Sequence, residues 1–387
     1  MSLKHRIRRT NQRIVVNKQH FRTWISILLS VLIPCITSGD VYQPKVELGP
    51  WAGDLKIEPG MVAKGYRLWG SEIVGQDLSH ASFDDCELTG VTFRQCNLFG
   101  TTFRRTLMTG MTINDCDWGE NEFSDAVVNG INYGDLNDQW EAMGMSAAQF
   151  MTTWSYKNRD LHNCVVPSNS FDSSYDFADF NLAGAYFFRI SNAQFVKSRI
   201  ADATFQYCDL TNCAFDDAVL YGNRFSNCKI DLKRWSSAAS FTFSGVEFAG
   251  VEFSGPIDFS GRNLVGGALN SHSDFHVNFE NAKINGFVAK GGLDGANIHV
   301  TKSYKTGNLS EVRISTSDLS GADFSGQLLA NSKFWRCDFT NCKFDDAVIT
   351  ASSFKECTGL TREQIESTWN FKHGHMTDIE LPNRLFD

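Results

Sequence analysis

The stretch ASFDDCELTGVTFRQCNLFGTTF, residues 81–103, decides the fold. Phe83, Leu88, Phe93, Leu98 and Phe103 recur in it at a spacing of five. The same step runs back through Leu78, Ile73 and Leu68 and forward through Met108, Ile113, Trp118, Phe123, Val128 and Tyr133. That makes fourteen large apolar residues without a phase error. Two positions before most of them sits a smaller residue: Ala81, Cys86, Val91, Cys96, Thr101, Thr106, Cys116 and Ala126. A helix places apolar residues every three or four positions and a half-buried strand every two, so neither explains a step of five. A chain that turns a corner at every pentapeptide does. Four such steps close a square coil of about twenty residues, and coils stack as parallel β at about 4.8 Å. The large residue fills the axis, the small one leaves it room, and the polar residues between them face water.

Other tracts keep the rule. Ile190, Phe195, Ile200, Phe205, Leu210, Phe215, Leu220, Phe225 and Ile230 form one, and Tyr304 to Phe354 another. The second runs through Phe324, Phe334, Phe339 and Phe344. Between 243 and 289 the rhythm slips by one residue near Pro256 and glycine is frequent, which predicts a distorted stretch.

Ala322-Asp323-Phe324-Ser325-Gly326 and Cys337-Asp338-Phe339-Thr340-Asn341 carry the motif of a small residue, Asp or Asn, Leu or Phe, then two polar residues. In this the tract resembles the pentapeptide-repeat family over most of residues 68–387. The resemblance implies an all-β solenoid, a right-handed quadrilateral β-helix, with Phe83, Leu88, Phe93, Leu98, Phe103, Phe205, Phe215, Phe324, Phe339 and Phe344 in its core.

A longer repeat interrupts the pentapeptides. Residues 145–167 and 360–382 align without gaps and share Gln149 and Gln364, Thr153 and Thr368, Trp154 and Trp369, Lys157 and Lys372, Pro167 and Pro382. A degenerate copy runs from Leu293 through Ile298, Thr301, Ser303, Tyr304 and Lys305, and a weaker one from Leu232 through Phe243. Ser146 and Gln149, like Thr361 and Gln364, have capping-box spacing and should each start a short helix. These modules read as helical excursions that leave the β-helix, pack on it through Trp154 or Trp369 with Lys157 or Lys372 as an ionic cap, and re-enter. An alternative makes the Trp and Lys a ligand platform by stacking and cation–π contact. The modules resemble those of exported pentapeptide-repeat proteins of planctomycete type.

The organisation that follows is a leader at 1–39, a cap at 40–67 and a first pentapeptide tract at 68–133. An excursion and re-entry at 134–167 leads to a second tract at 168–230, then degenerate repeats and excursions at 231–303. A tract at 304–354 and a C-terminal module at 355–387 complete it.

Residues 1–22 hold seven Lys or Arg and no acidic residue, and an apolar run from Trp24 to Ile36 precedes Thr37-Ser38-Gly39. That pattern is an export signal, with a membrane anchor at 24–36 as the alternative. Elsewhere no apolar run is long enough for a multi-span membrane protein. Beyond residue 39 the chain has 29 Lys+Arg against 44 Asp+Glu, a net −15, unsuited to binding a phosphate backbone.

Cys96 and Cys116, Cys208 and Cys228, and Cys337 and Cys357 are each twenty residues apart, hence stacked on adjacent coils at a spacing a disulfide can span. Buried thiols acting as small hydrophobes are the other reading. No GxSxG, HExxH or phosphate-loop motif is present. His272 and His276 with Asp274, or His373 and His375, are candidate metal clusters, but they read more simply as exposed loop or module residues. The reading is therefore a non-enzymatic scaffold without cofactor or metal, exported and bound to another macromolecule, a protein, or to the cell envelope. It touches membrane only through an uncleaved N-terminal segment. A rival is an acidic DNA mimic that binds topoisomerase; a third is a carbohydrate-binding β-helix using Trp51, Trp69, Trp140 and Trp335.

Overall fold

The computed structural model describes residues 55–133, 145–168, 175–235, 243–253, 257–270, 277–291, 293–383 and 385. The leader at 1–39, Trp51, Trp140, and the His272, Asp274 and His276 group lie outside the described residues. Among the described residues no helix is long and apolar enough to cross a membrane.

The five-residue step builds a parallel β-solenoid with four faces per coil. Each face is a strand of at most three residues, such as Thr92–Arg94, whose central side chain points inward. The corner follows at once, and the second residue after the central one takes a left-handed conformation: Asp85 has φ 61°, Gly90 φ 67° and Gln95 φ 53°. That sign of φ turns the chain through a right angle without lengthening it. Ile73, Phe93 and Ile113 are register partners in three parallel strands. From Val165–Val166 to Lys333–Trp335 the same face is a nine-stranded parallel sheet. With its helical insertions, the chain is an all-β solenoid, a right-handed quadrilateral β-helix.

The axis holds columns of rings. Phe83 and Phe103 stack at 5.6 Å and 8°, and Phe103 and Phe123 at 5.7 Å and 4°. Phe187, Phe205 and Phe225 continue such a column on another face. Leu88, Phe93, Leu98, Phe215, Phe324, Phe339 and Phe344 are likewise buried.

The small inward position does more than leave room. Its side chain donates to the carbonyl of a large residue in the previous coil: Thr101 to Leu78 at 3.1 Å, Ser332 to Leu309 at 2.9 Å, Cys342 to Leu319 at 2.9 Å. Asn223 makes two bonds to the coil beneath it, donating to the Ile200 carbonyl at 2.8 Å and accepting from the Ala203 amide at 2.9 Å. A buried carbonyl lone pair is thereby satisfied, which explains why Ser, Thr, Cys and Asn recur there.

Three sequence expectations need correction. The coil begins within the segment read as a cap: Val62 bridges Ser82 and Arg67 bridges Glu87, with Met61 and Ala63 buried. Ala63 hid this start, because it holds a large-residue position. Ile190 does not hold the position the five-residue count gives it. Ser191 pairs with Asp209 and the Ile190 carbonyl accepts from the Asp209 amide, so Ile190 stands over Cys208 at a small inward site. The corner after it is shortened, and the larger side chain fills the space. Finally, the helical modules do not leave the solenoid.

Candidate functional site

Each module stacks on the coil beneath it as another layer. The Asp125 amide donates to Thr152 O at 3.0 Å, and the Trp154 amide to Ala126 O at 2.9 Å. In the second copy Asp346 N donates to Ser367 O at 2.9 Å and Trp369 N to Ala347 O at 3.0 Å. In the degenerate copy Asn281 N donates to Val300 O and Lys302 N to Ala282 O, both at 2.8 Å. The ladder of the β-helix therefore runs on through the helical turns.

Local sequence dictates the rest. Ser146 and Gln149 form a capping box at the Ala147–Thr152 helix, as do Thr361 and Gln364 at Arg362–Glu366. Gln364 Nε2 also donates to the carbonyls of Phe339 and Cys342 at 3.1 and 2.8 Å, tying the cap to the coil below. Phe150, Ile298 and Ile365 are buried in the axis in the place of a pentapeptide phenylalanine. Thr153, Thr301 and Thr368 then cap a second helix of four residues: Trp154–Lys157, Lys302–Lys305 and Trp369–Lys372. From Phe150 to Leu161, Ile298 to Leu309 and Ile365 to Met376 the chain spends eleven positions where an ordinary step takes five. The extra residues form a bump on one and the same edge of the solenoid.

The buried anchors of these bumps are not the tryptophans. Ser155 accepts from the Val128 amide at 3.0 Å and donates to Asn129 Oδ1 at 2.7 Å. Ser303 repeats this with Ile284 and Asn285, and Asn370 accepts from Ile349 at 2.7 Å. All three are buried. Sequence comparison passed over them because Ser155 and Asn370 differ between the aligned copies while Trp is shared. Trp369 is instead 36% exposed, stacked with His373 at 4.5 Å and His375 at 5.4 Å. Trp154 is half-buried. Lys157 pairs with Asp125 at 2.7 Å and Lys372 with Asp346 at 2.8 Å. Both pairs are solvated and hold the left-handed corner residue more than they stabilise the fold.

Beyond the modules, charges pair between coils. Arg67 meets Glu87 at 3.0 Å, Arg105 meets Asp85 at 2.5 Å, Arg336 meets Glu356 at 2.9 Å, and Arg104 reaches Glu122. The hydrogen bond from Arg105 holds Asp85 below the usual carboxylate range, and that from Arg336 does the same for Glu356. Asp77, Asp318 and Asp323 accept from the amide two residues on and are lowered by hydrogen bonds to Ser79, Ser320 and Ser325. These aspartates close corners.

Trp69 and Trp335 are 59% and 39% exposed, but Arg67 lies over the first ring at 5.3 Å and Arg336 over the second at 4.1 Å. They sit on coils far apart in the stack, so they form no shared sugar platform. Among the described residues no three His, Cys, Asp or Glu side chains could hold a metal ion together.

The ten described cysteines are free thiols, so Cys96 and Cys116, Cys208 and Cys228, and Cys337 and Cys357 are not bridged. In-register parallel neighbours point their Cβ atoms the same way, which disfavours the dihedral a disulfide needs. Burial pushes Cys86 up to about 12 and Cys342 up to about 11. Cys208 is raised too, by burial first and then by its hydrogen bond with Cys228.

The model of the pentapeptide repeats matches the chain in 8 copies, at residues 75–110, 198–231 and 308–355. No curated protein matches it. Among solved structures the chain is similar to HetL, a pentapeptide repeat protein involved in heterocyst differentiation regulation from the cyanobacterium Nostoc sp. strain PCC 7120. The identity is 16% over 79% of this chain and 90% of that one, with a TM-score of 0.14. It is also similar to full-length QnrB1, a plasmid-mediated fluoroquinolone resistance protein, at 14% identity over 71% of this chain and 92% of that one, TM-score 0.15. The repeat is thus matched in sequence on three segments, and the same coil stacks through the described residues between them. The chain therefore contains pentapeptide repeats, carried by a parallel β-solenoid.

Proposed function

We propose that this chain is an exported, non-catalytic β-helical scaffold that binds another protein along the edge carrying the helical modules. The observation behind this reading is the outward placement of Trp369 on a bump whose own anchoring is done by buried Thr368 and Asn370. A module that served only to staple coils would need no exposed tryptophan, and exposed aromatic rings are the residues that most often carry binding energy at protein interfaces. The basic leader followed by an apolar run supports export.

The test is a photo-crosslinking side chain placed at position 369, and separately at 335, in the protein expressed in its own cell. A partner captured from 369 but not from 335, in the exported fraction, is the expected result. Substituting Trp369 by Ala should weaken that partner at least about tenfold without lowering the melting temperature. Protein found wholly in the cytosol, or crosslinks that ignore the module edge, would overturn the reading.

The net −15 beyond residue 39 keeps an acidic DNA mimic as the second reading. Cations threaded between the carboxylates of successive coils count against it, because a phosphate-backbone mimic needs its negative charges unneutralised. Saturable inhibition of gyrase by residues 40–387 would promote it.

A further inference from the structure

The three modules are copies of one device, and the degenerate copy has changed its charges in a consistent direction. With the four copies numbered along the chain, modules one and four (145–167 and 360–382) pair their lysine with a carboxylate, Lys157 with Asp125 and Lys372 with Asp346. At the equivalent corner the degenerate module has Asn281, and Lys305 donates to its amide oxygen at 2.8 Å. Where the others carry Trp154 and Trp369, it carries Lys302. One carboxylate has been lost and one ammonium gained at a single place on an otherwise acidic chain.

The surface there is concave. Lys283, Lys302 and Lys305 line one depression with Asn263, Asn281 and Thr306. The chain brings these together from three successive layers, since Asn263 bridges Lys283 in the coil below and the helical turn stacks on Asn281 and Ala282. Among the described residues no carboxylate pairs with any of the three ammonium groups, although lysines and arginines elsewhere on the solenoid meet Asp or Glu repeatedly. Three ammonium groups and the Asn263 and Asn281 amides supply donors from several directions, while the Thr306 hydroxyl is already committed to the Lys302 and Ser303 carbonyls at 3.0 and 3.1 Å. A tetrahedral oxyanion of charge two or more matches that set, since it accepts many hydrogen bonds and gains from each cation.

We propose that the depression formed by Lys283, Lys302 and Lys305 binds a phosphate-type oxyanion, and that modules one and four, with their carboxylates in place, do not. Binding is independent of the protein partner proposed above.

Calorimetric titration of the full chain at low ionic strength, with inorganic phosphate and with O-phosphoserine as probes, tests this. Saturable binding at one site per chain is expected. Equal affinity for the two probes assigns the site to the free ion, and tighter binding of phosphoserine assigns it to a phosphate ester. Lys302→Gln and Lys305→Gln should each weaken binding by about tenfold. Asn281→Asp, which restores the counter-ion of the sister modules, should abolish it while leaving the melting temperature unchanged or higher. Should a lysine variant fail to fold, Asn281→Asp still decides the matter, because the same side chain is accommodated at positions 125 and 346. No saturable binding by the parent protein would overturn the proposal. So would binding that survives Asn281→Asp, or an equal loss in Lys157→Gln and Lys372→Gln.

Discussion

Each pentapeptide assigns its residues separate physical tasks. The central residue fills the axis, the one two before it donates a hydrogen bond across coils, and the one two after it bends the chain at positive φ. Phe103 shows the first task at its most demanding, sandwiched between Phe83 and Phe123 with the three rings nearly parallel. Phe103→Ala removes contacts on both sides, and the flanking rings, fixed by their own coils, cannot close the gap. It should cost about 4 kcal/mol in chemical denaturation and reduce the near-ultraviolet dichroism of the ring column. Gly359 shows the third task. At φ 69° an added Cβ would lie 2.4 Å from the Thr340 backbone nitrogen. Most corners of this chain tolerate Asp, Asn or Arg at positive φ, but this one has no room beside it. Gly359→Ala should therefore destabilise by about 3 kcal/mol, whereas Gly326→Ala, facing open space, should cost about 1 kcal/mol. Equal losses at the two sites would refute the steric argument.

At the scale of the element, the module is a pair of helical turns too short to persist alone, since nucleating so few residues is unfavourable. It forms because its ends are already fixed by the parallel ladder and its caps are satisfied by Thr and Ser. The re-entry from the first module carries a titrating contact. His162 Nδ1 lies 2.8 Å from Asp160 Oδ1, and that hydrogen bond raises the imidazole above its ordinary 6.5. Burial pushes Asp160 up, yet its bonds to His162 and Asn181 outweigh this and leave it lowered. Folding thus favours charged histidine. The stabilisation is full below pH 6.5, the unfolded value, and is lost as pH rises through the higher folded value. The Asp160 contribution is already constant in that range, because it disappears only under acid conditions. The wild-type melting temperature should exceed that of His162→Gln by on the order of 1 °C more at pH 5.5 than at pH 8.5, the group being half solvated. A gap that does not change with pH would exclude the charged pair.

Over the whole molecule, every coil touches only its neighbours, so stability is a sum of layer-on-layer contacts. The inward thiols are sealed by that stacking. Burial holds Cys86 and Cys342 far from ionisation at neutral pH, and a thiol reagent needs both access and the thiolate. In the folded protein Cys86, Cys208, Cys337 and Cys342 should be unreactive towards an aromatic disulfide reagent. In denaturant the thiol count should be the same with and without prior reduction. Rapid labelling of the native chain, or a count that rises on reduction, would contradict free buried thiols.

The five-residue step alone determined the coil, the axis residues and the corners, because a period is a local property that survives any change of neighbour. Phe83, Phe103 and Phe123 could be placed one over another by counting. Counting failed at Ile190, where a shortened corner makes the layer depart from twenty residues, and at Val62, whose coil keeps the twenty-residue register but has Ala63 in place of a large residue. The modules were visible as a repeat, yet their role in the stack was not. Trp is the residue that catches attention in an alignment, while the buried contacts of Ser155, Ser303 and Asn370 exist only once the Asn129, Asn285 and Ile349 layers lie beneath them. The lysine-lined depression has the same origin. Residues 263, 283, 302 and 305 share no motif along the chain, and it is stacking between coils, a long-range interaction, that gathers their charges into one place.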